Sequence, residues 1–288
     1  MLELLSAAPT VGLLLAGALG LIVGSFLNVV ILRLPPRLEH QWRSDALDML
    51  GLEPAEPEST PPGLVMERSH CPQCLAQIKA YDNIPVLSYL LLRGRCRACG
   101  LRISPQYPLI EAATGVATAL CVWRFGISAE ALGAIVLTWT LIALAGIDLR
   151  TQLLPDALTL PLLWGGLLLS LIPLFAEPEQ AILGAVVGYL SLWSVYWGFK
   201  LLTGKEGMGY GDFKLLAALG AWFGVVAILP IVLLSSAAGA LIGGLMILLR
   251  GRDSQLPMPF GPFIAVAGFS YMILAPQLRT WLPLLIPE

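Results

Sequence analysis

Hydrophobic runs close to the length of a bilayer crossing recur along the whole chain, separated by short polar bursts. A crossing takes about 20 mainly apolar residues, somewhat fewer where a helix end is shielded by protein. The pattern predicts eight helices, over residues 11–32, 107–124, 130–148, 157–175, 181–201, 213–227, 229–249 and 260–285. The stretch from Phe213 to Leu249 is too long for one helix, and Gly224 and Pro230 mark its expected turn. The first run does not read as a cleavable signal, because it lacks a basic start and ends in Arg33 without a small-residue cleavage site.

One long hydrophilic segment, 34–106, interrupts this pattern between the first two spans. Within it, Leu38, Trp42, Ala46, Met49 and Leu50 share one helical face, so Leu38–Leu50 is expected as a helix lying on the membrane surface. Pro54 to Gly63, rich in Pro, Glu, Ser and Thr, reads as a loop.

Composition sharpens the class. Of 288 residues, 57% are hydrophobic and only 12% charged, against roughly 25% charged in a soluble domain. That excludes a soluble globular enzyme, a disordered chain and a secreted disulfide scaffold. The net charge of −2 carries no basic field for nucleic acid. The expected fold is an all-α polytopic membrane protein. It divides into a first transmembrane helix (1–33), a cytoplasmic insert (34–106) and a seven-helix membrane domain (107–288).

The basic residues orient it. Nine lie between Ile31 and Pro108, and Arg150, Lys200, Lys205, Lys214, Arg250 and Arg252 fall on the same side, leaving only Arg124 and Arg279 opposite. The positive-inside rule then puts the insert in the cytoplasm and both termini outside.

Inside the insert stand Cys71-Pro-Gln-Cys74 and Cys96-Arg-Ala-Cys99, with 21 residues between them. Two such pairs supply four thiolates in tetrahedral geometry, the signature of a structural zinc site with no open position. Free core cysteines and a redox pair are the alternatives, and a reducing cytoplasm argues against disulfides. Arg93, Arg95, Arg97 and Arg102 surround the second pair and would offset the negative charge of a tetrathiolate site. Cys121, inside a span, is expected to pack, and His40 and His70 to be solvated or to cap.

Ionisable residues at span edges are costly and therefore functional candidates. Asp148 ends the third span, Asp156 opens the fourth after Pro155, and Asp212 opens the sixth within Gly207-Met-Gly-Tyr-Gly-Asp212-Phe-Lys214. The topology puts all three on the cytoplasmic side. Two carboxylates brought together share a proton, the arrangement of an aspartic protease. Glycines at 207, 209 and 211 would let a substrate backbone approach. Plainer readings fit the same residues: Asp148 pairing with Arg150, and Asp156 and Asp212 as helix caps. So does a transporter relaying protons or binding cations through the three acids, although transport sites lie near the midplane. A membrane methyltransferase without protease function would leave the acids unexplained.

Taken together, these residues resemble the type IV prepilin peptidases, bifunctional leader peptidase/N-methyltransferases of the bacterial inner membrane. The resemblance runs through Gly24-Ser-Phe-Leu-Asn28, Asn83-Ile-Pro-Val-Leu-Ser-Tyr89, Ile103-Ser-Pro-Gln-Tyr107-Pro-Leu-Ile-Glu111, Leu154-Pro-Asp156 and Pro259-Phe-Gly-Pro262 besides the cysteine and aspartate motifs. It implies cleavage of the basic leader of type IV prepilins and type II secretion pseudopilins, after a Gly, on the cytoplasmic side. N-methylation of the new N-terminal residue, usually Phe, with S-adenosylmethionine would follow. By the same resemblance Asp148 and Asp212 are catalytic and Cys71, Cys74, Cys96 and Cys99 hold one zinc. Gly94 and Arg95 are linked to methyl transfer, although relatives with Lys in place of Arg95 present a differently shaped cation. No strand, Gly-rich loop and helix marks a Rossmann-type adenosyl site, so methyl transfer rests on the resemblance alone.

Overall fold

The structure, a computed structural model, describes residues 9–53, 59–65, 67–250 and 258–281. Glu56, Glu58, Arg252 and the last residues of the final expected span, 282–285, lie outside the described residues. The described residues are all-helical apart from two isolated antiparallel bridges. They fall into two compact units, Met1–Trp123 and Arg124–Glu288.

The first unit opens with α1, Pro9–Leu50, one helix of 42 residues. At 1.5 Å per residue it is about 63 Å long, far more than a bilayer needs. The expected helix at Leu38–Leu50 is present, and it continues α1 through Pro35 and Pro36. The two prolines remove only the hydrogen bonds to the Ile31 and Leu32 carbonyls, and the turns on either side carry the helix across. A 3₁₀ turn at Ala80–Asn83 and a short helix α2, Leu87–Leu91, follow in the insert. The chain then enters α3, Gln106–Phe125. α1 meets α3 through a ridge of small residues, with Gly20 against Thr114 and Thr118 and Gly24 against Glu111. The Thr114 and Thr118 hydroxyls donate to the carbonyls of Ile110 and Thr114 one turn back, both at 2.7 Å, so these two hydroxyls are satisfied within their own helix.

The second unit holds α4 (Ala129–Thr151), α5 (Asp156–Ser170), α6 (Pro178–Thr203), α7 (Tyr210–Phe223), α8 (Ile228–Arg250) and α9 (Gly261–Trp281). Ser128 caps α4 by accepting from the Ala131 amide at 3.1 Å. Gln152 and Gly204 end α4 and α6 in the left-handed conformation. The expected break in Phe213–Leu249 falls at Gly224, with φ +80, followed by a 3₁₀ turn at Val225–Ala227; Pro230 sits harmlessly in the first turn of α8.

Short α7 is the hub of this unit, packed by α5, α6 and α9 and buried along nearly its whole length. Gly184 of α6 and Gly220 of α7 touch backbone to backbone, leaving no room for a methyl group on either. Trp222 fills the space beside Gly166 and donates its indole N–H to the Leu162 carbonyl at 2.8 Å. Among the described residues, four helices are long and apolar enough to cross a membrane (Thr10–Leu50, Ala129–Thr151, Pro178–Thr203 and Val225–Met246), and α5 and α9 are shorter apolar helices. Large apolar side chains such as Leu132, Leu168 and Val195 stay on their outer faces, as lipid requires and water would penalise.

Candidate active site and metal centre

Asp148 sits in the last turn of α4 and is 4% exposed; Asp212 sits in the first turn of α7 and is 6% exposed. Although 64 positions apart in sequence, they come together in the fold: Leu154 packs against both Gly211, the neighbour of Asp212, and Gly261, which bonds Asp148. Asp148 Oδ2 accepts from the Gly261 amide at 3.0 Å. Gly261 is the first residue of α9, so this is one of the amides a helix leaves free at its N-terminus, where the helix dipole also favours negative charge. Asp212 Oδ1 is buried with no hydrogen-bond partner among the described residues. One carboxylate is held and the other keeps an oxygen free.

Asp156 is set apart from them. It is the first residue of α5, but Pro155 occupies the cap position and no side chain caps this helix, so the cap reading is corrected. Its carboxylate is half exposed and pairs with Lys214 of α7 at 2.6 and 2.8 Å. Lys214 lies two residues beyond Asp212, so the ion pair ties α5 to the first turns of α7.

Not all the loop glycines open the site, as the sequence suggested. A Cβ on Gly211 would lie 2.6 Å from Leu154 Cβ, and one on Gly207 would lie 3.0 Å from the Phe199 ring. Both are glycine because a neighbour takes the space. Only Gly209 leaves its side next to the Asp212 carboxylate clear, with a Cβ there 3.8 Å from Oδ2. Sequence reasoning assigned no role to Gly261, although Pro259-Phe-Gly-Pro262 stood among the quoted motifs. The signal was a Gly-Pro opening the last span, the form of a helix N-terminus.

In the first unit the four cysteine sulfurs of residues 71, 74, 96 and 99 lie within 4.8 Å of one another, a group that can hold a metal ion. The two pairs fold alike. Each first cysteine accepts from the amide four residues on, Leu75 to Cys71 at 2.9 Å and Gly100 to Cys96 at 3.0 Å, and both donors take positive φ. The amides of Cys74 and then Gln73 bring the Cys71 thiol down to about 6, while burial and the neighbouring thiols push Cys99 up to about 12, so the protons are shared within the cluster. Arg97 engages Asp82 through three hydrogen bonds of 2.6–3.0 Å and holds that carboxyl below the usual range. Beside the second pair lies an open cavity of about 550 Å³ lined by Tyr89, Arg93, Gly94, Arg95, Arg102 and Ser104 among others. The expected methyl-transfer residues Gly94 and Arg95 thus share a cavity.

The fold and site define an all-helical membrane protein with two juxtaposed buried carboxylates in one unit and a four-cysteine centre in the other. Comparison with known proteins gives this class a family. The model for the bacterial peptidase A24 N-terminal domain matches residues 18–125, and the model for the type IV leader peptidase family matches 135–244. The prepilin leader peptidase/N-methyltransferase of Xanthomonas campestris pv. campestris is 55% identical over 261 residues, 91% of either chain. Proteins of the same name from Stutzerimonas stutzeri (51% identical, covering 96% of this chain and 95% of that one) and Pseudomonas aeruginosa (50%, covering 98% and 97%) are similarly close. No solved structure matches the chain significantly. The chain belongs to the type IV leader peptidase family, the type IV prepilin peptidases, and is an integral inner-membrane enzyme with peptidase and methyltransferase activities.

Proposed function

We propose that this enzyme cleaves the basic leader of type IV prepilins and type II secretion pseudopilins after a Gly, on the cytoplasmic side. It then N-methylates the new N-terminal residue, usually Phe, with S-adenosylmethionine. The observation that carries the peptidase half is the pair of buried acids, one anchored by Gly261 and the other with a free oxygen. Like charges this close hold one proton between them. Asp148 and Asp212 act as an aspartic dyad: one takes a proton from water as its oxygen attacks the scissile carbonyl, and the other protonates the leaving nitrogen as the C–N bond breaks. Gly261 keeps Asp148 in place.

Helices α1 and α3 to α9 are the eight crossings, α7 being short because protein encloses it rather than lipid. Both termini are periplasmic and the two acids face the cytoplasm, following the basic residues. The chain divides as 1–33, the insert 34–106 and the membrane domain 107–288. A prepilin helix would slide in laterally from the bilayer and present its leader junction to the acids. Nucleic acid plays no part.

The metal is one structural zinc, held by Cys71, Cys74, Cys96 and Cys99. With Zn–S bonds of about 2.3 Å, a tetrahedron separates its sulfurs by roughly 3.8 Å, and Cys71 Sγ and Cys99 Sγ stand 3.7 Å apart. S-adenosylmethionine supplies an activated methyl group when bound. The cavity at Gly94 and Arg95 is the place to hold it, its volume lying within the range of small-molecule sites.

Co-expression with a prepilin, followed by mass spectrometry of the product, reads cleavage and methylation on one peptide. Asp148→Asn and Asp212→Asn should each abolish cleavage while leaving zinc content and insertion intact, and the double variant should be no worse. A folded single variant that still cleaves at near wild-type rate would end the dyad assignment.

A further inference from the structure

Three quoted motifs remain unused by this chemistry: Gly24-Ser-Phe-Leu-Asn28, Asn83 to Tyr89, and Ile103 to Glu111. In the first unit they meet around one buried carboxylate. Glu111 of α3 is only 7% exposed. Its Oε2 accepts from the Val86 amide at 2.7 Å, and α1 comes up close against the same residue. Gly24 makes that approach possible, since a Cβ there would lie 2.7 Å from Glu111 Cα. Asn28 closes the arrangement by donating to the carbonyls of Tyr107 at 3.1 Å and Gly24 at 3.3 Å.

Val86 shows what the carboxylate holds. It has φ +59 and ψ −47, in the positive-φ region that β-branched residues almost never enter. Such a conformation persists only where its surroundings impose it, and it clusters at functional sites. A charge-assisted bond to its amide is a means of imposing it. The next residue, Leu87, begins α2. From α2, Tyr89 forms a wall of the 550 Å³ cavity. The Tyr89 hydroxyl would lie 2.9 Å from a Cβ on Gly94, and Gly94 itself has φ +64. A continuous path therefore runs from Glu111 through Val86 and α2 to Tyr89 and Gly94.

We propose that Glu111 is a positioning residue for methyl transfer: by gripping the Val86 amide it sets where α2 starts, and so where Tyr89 stands over Gly94. The proposal rests on reading that cavity as the methyl-transfer site. Glu111 touches no reacting atom, and its effect reaches the cavity only through the strained turn.

The test uses the full-length enzyme in detergent micelles with a purified prepilin and S-adenosylmethionine. Mass spectrometry follows cleavage and methylation, and hydrogen exchange follows the peptide spanning residues 84–92. Glu111→Ala should slow methylation on the order of tenfold while leader cleavage stays within about twofold, because misplacement matters only at the displaced site. Exchange at 84–92 should rise and zinc content should hold. Glycine adopts positive φ without steric cost, so adding Val86→Gly to Glu111→Ala should return methylation to within about threefold of wild type. Glu111→Gln keeps an acceptor for the Val86 amide and should fall between. Wild-type methylation in Glu111→Ala, with exchange at 84–92 raised or not, overturns the proposal. Equal loss of both activities that Val86→Gly fails to relieve overturns it too, leaving Glu111 as an anchor of the fold. Gly94→Ser run in parallel separates the two ideas: if that variant methylates normally, the reading of the cavity fails, while the exchange data still report on the grip at Val86.

Discussion

Gly261→Ala is a one-carbon perturbation aimed at a carboxylate of the proposed dyad. The new Cβ would lie 2.7 Å from Asp148 Oδ2 and 3.1 Å from both Leu154 methyl carbons. Ordinary van der Waals contact begins at 3.4 Å, so the carboxylate or the start of α9 must give by about 0.7 Å. Leu154 also packs against Gly211, which limits its retreat. The displacement falls on the acid and on its 3.0 Å bond from the Gly261 amide. Misplacing a catalytic group by about 1 Å costs on the order of 10²-fold, so kcat for leader cleavage should fall roughly 10- to 100-fold. KM should change little, because substrate binding does not depend on the position of Oδ2. The assay is cleavage of a purified prepilin in detergent, read by gel shift over a substrate series, with zinc content and methylation of a pre-cleaved pilin as controls for folding. Cleavage within twofold of wild type in a folded Gly261→Ala enzyme would refute the argument that Gly261 positions Asp148.

Three further outcomes follow from the same geometry. Asp156→Asn removes an exposed ion pair of the kind worth about 0.2–1 kcal/mol, so leader cleavage should drop far less than in Asp148→Asn, and a loss as large as that variant's would make Asp156 a third member of the site. Cys71→Ser, or treatment with a strong chelator, should release the metal and unfold the insert; less than half a zinc per chain in the wild type, with full activity after chelation, would contradict this. Gly94→Ser must take φ +64 with a Cβ 2.9 Å from the Tyr89 hydroxyl, so methylation should fall strongly with cleavage largely intact, and equal loss of both activities in a folded variant would argue against separate sites.

Some of this was legible in the sequence because it depends on local chemistry. Runs of apolar residues announce helices for lipid, and among the described residues the regular structure is helix, with two isolated bridges and no strand. The two Cys-x-x-Cys pairs carry their own turn geometry, so the cluster of four sulfurs was readable from spacing. Gly224 announced the break after α7, since only glycine takes its φ of +80 freely. Other features exist only once helices pack. Nothing local says that the amide of Gly261 lies 3.0 Å from Asp148, 113 residues away. Asp156 after Pro155 had the local look of a cap, and the approach of Lys214 from α7 decided otherwise. The glycines at 207 and 211 looked like clearance for a substrate, whereas Phe199 and Leu154 take that space. Local propensity reaches about one turn of helix along the chain. Where a carboxylate finds its donor, and which side of a glycine stays open, is settled by the close packing of segments that the sequence holds far apart.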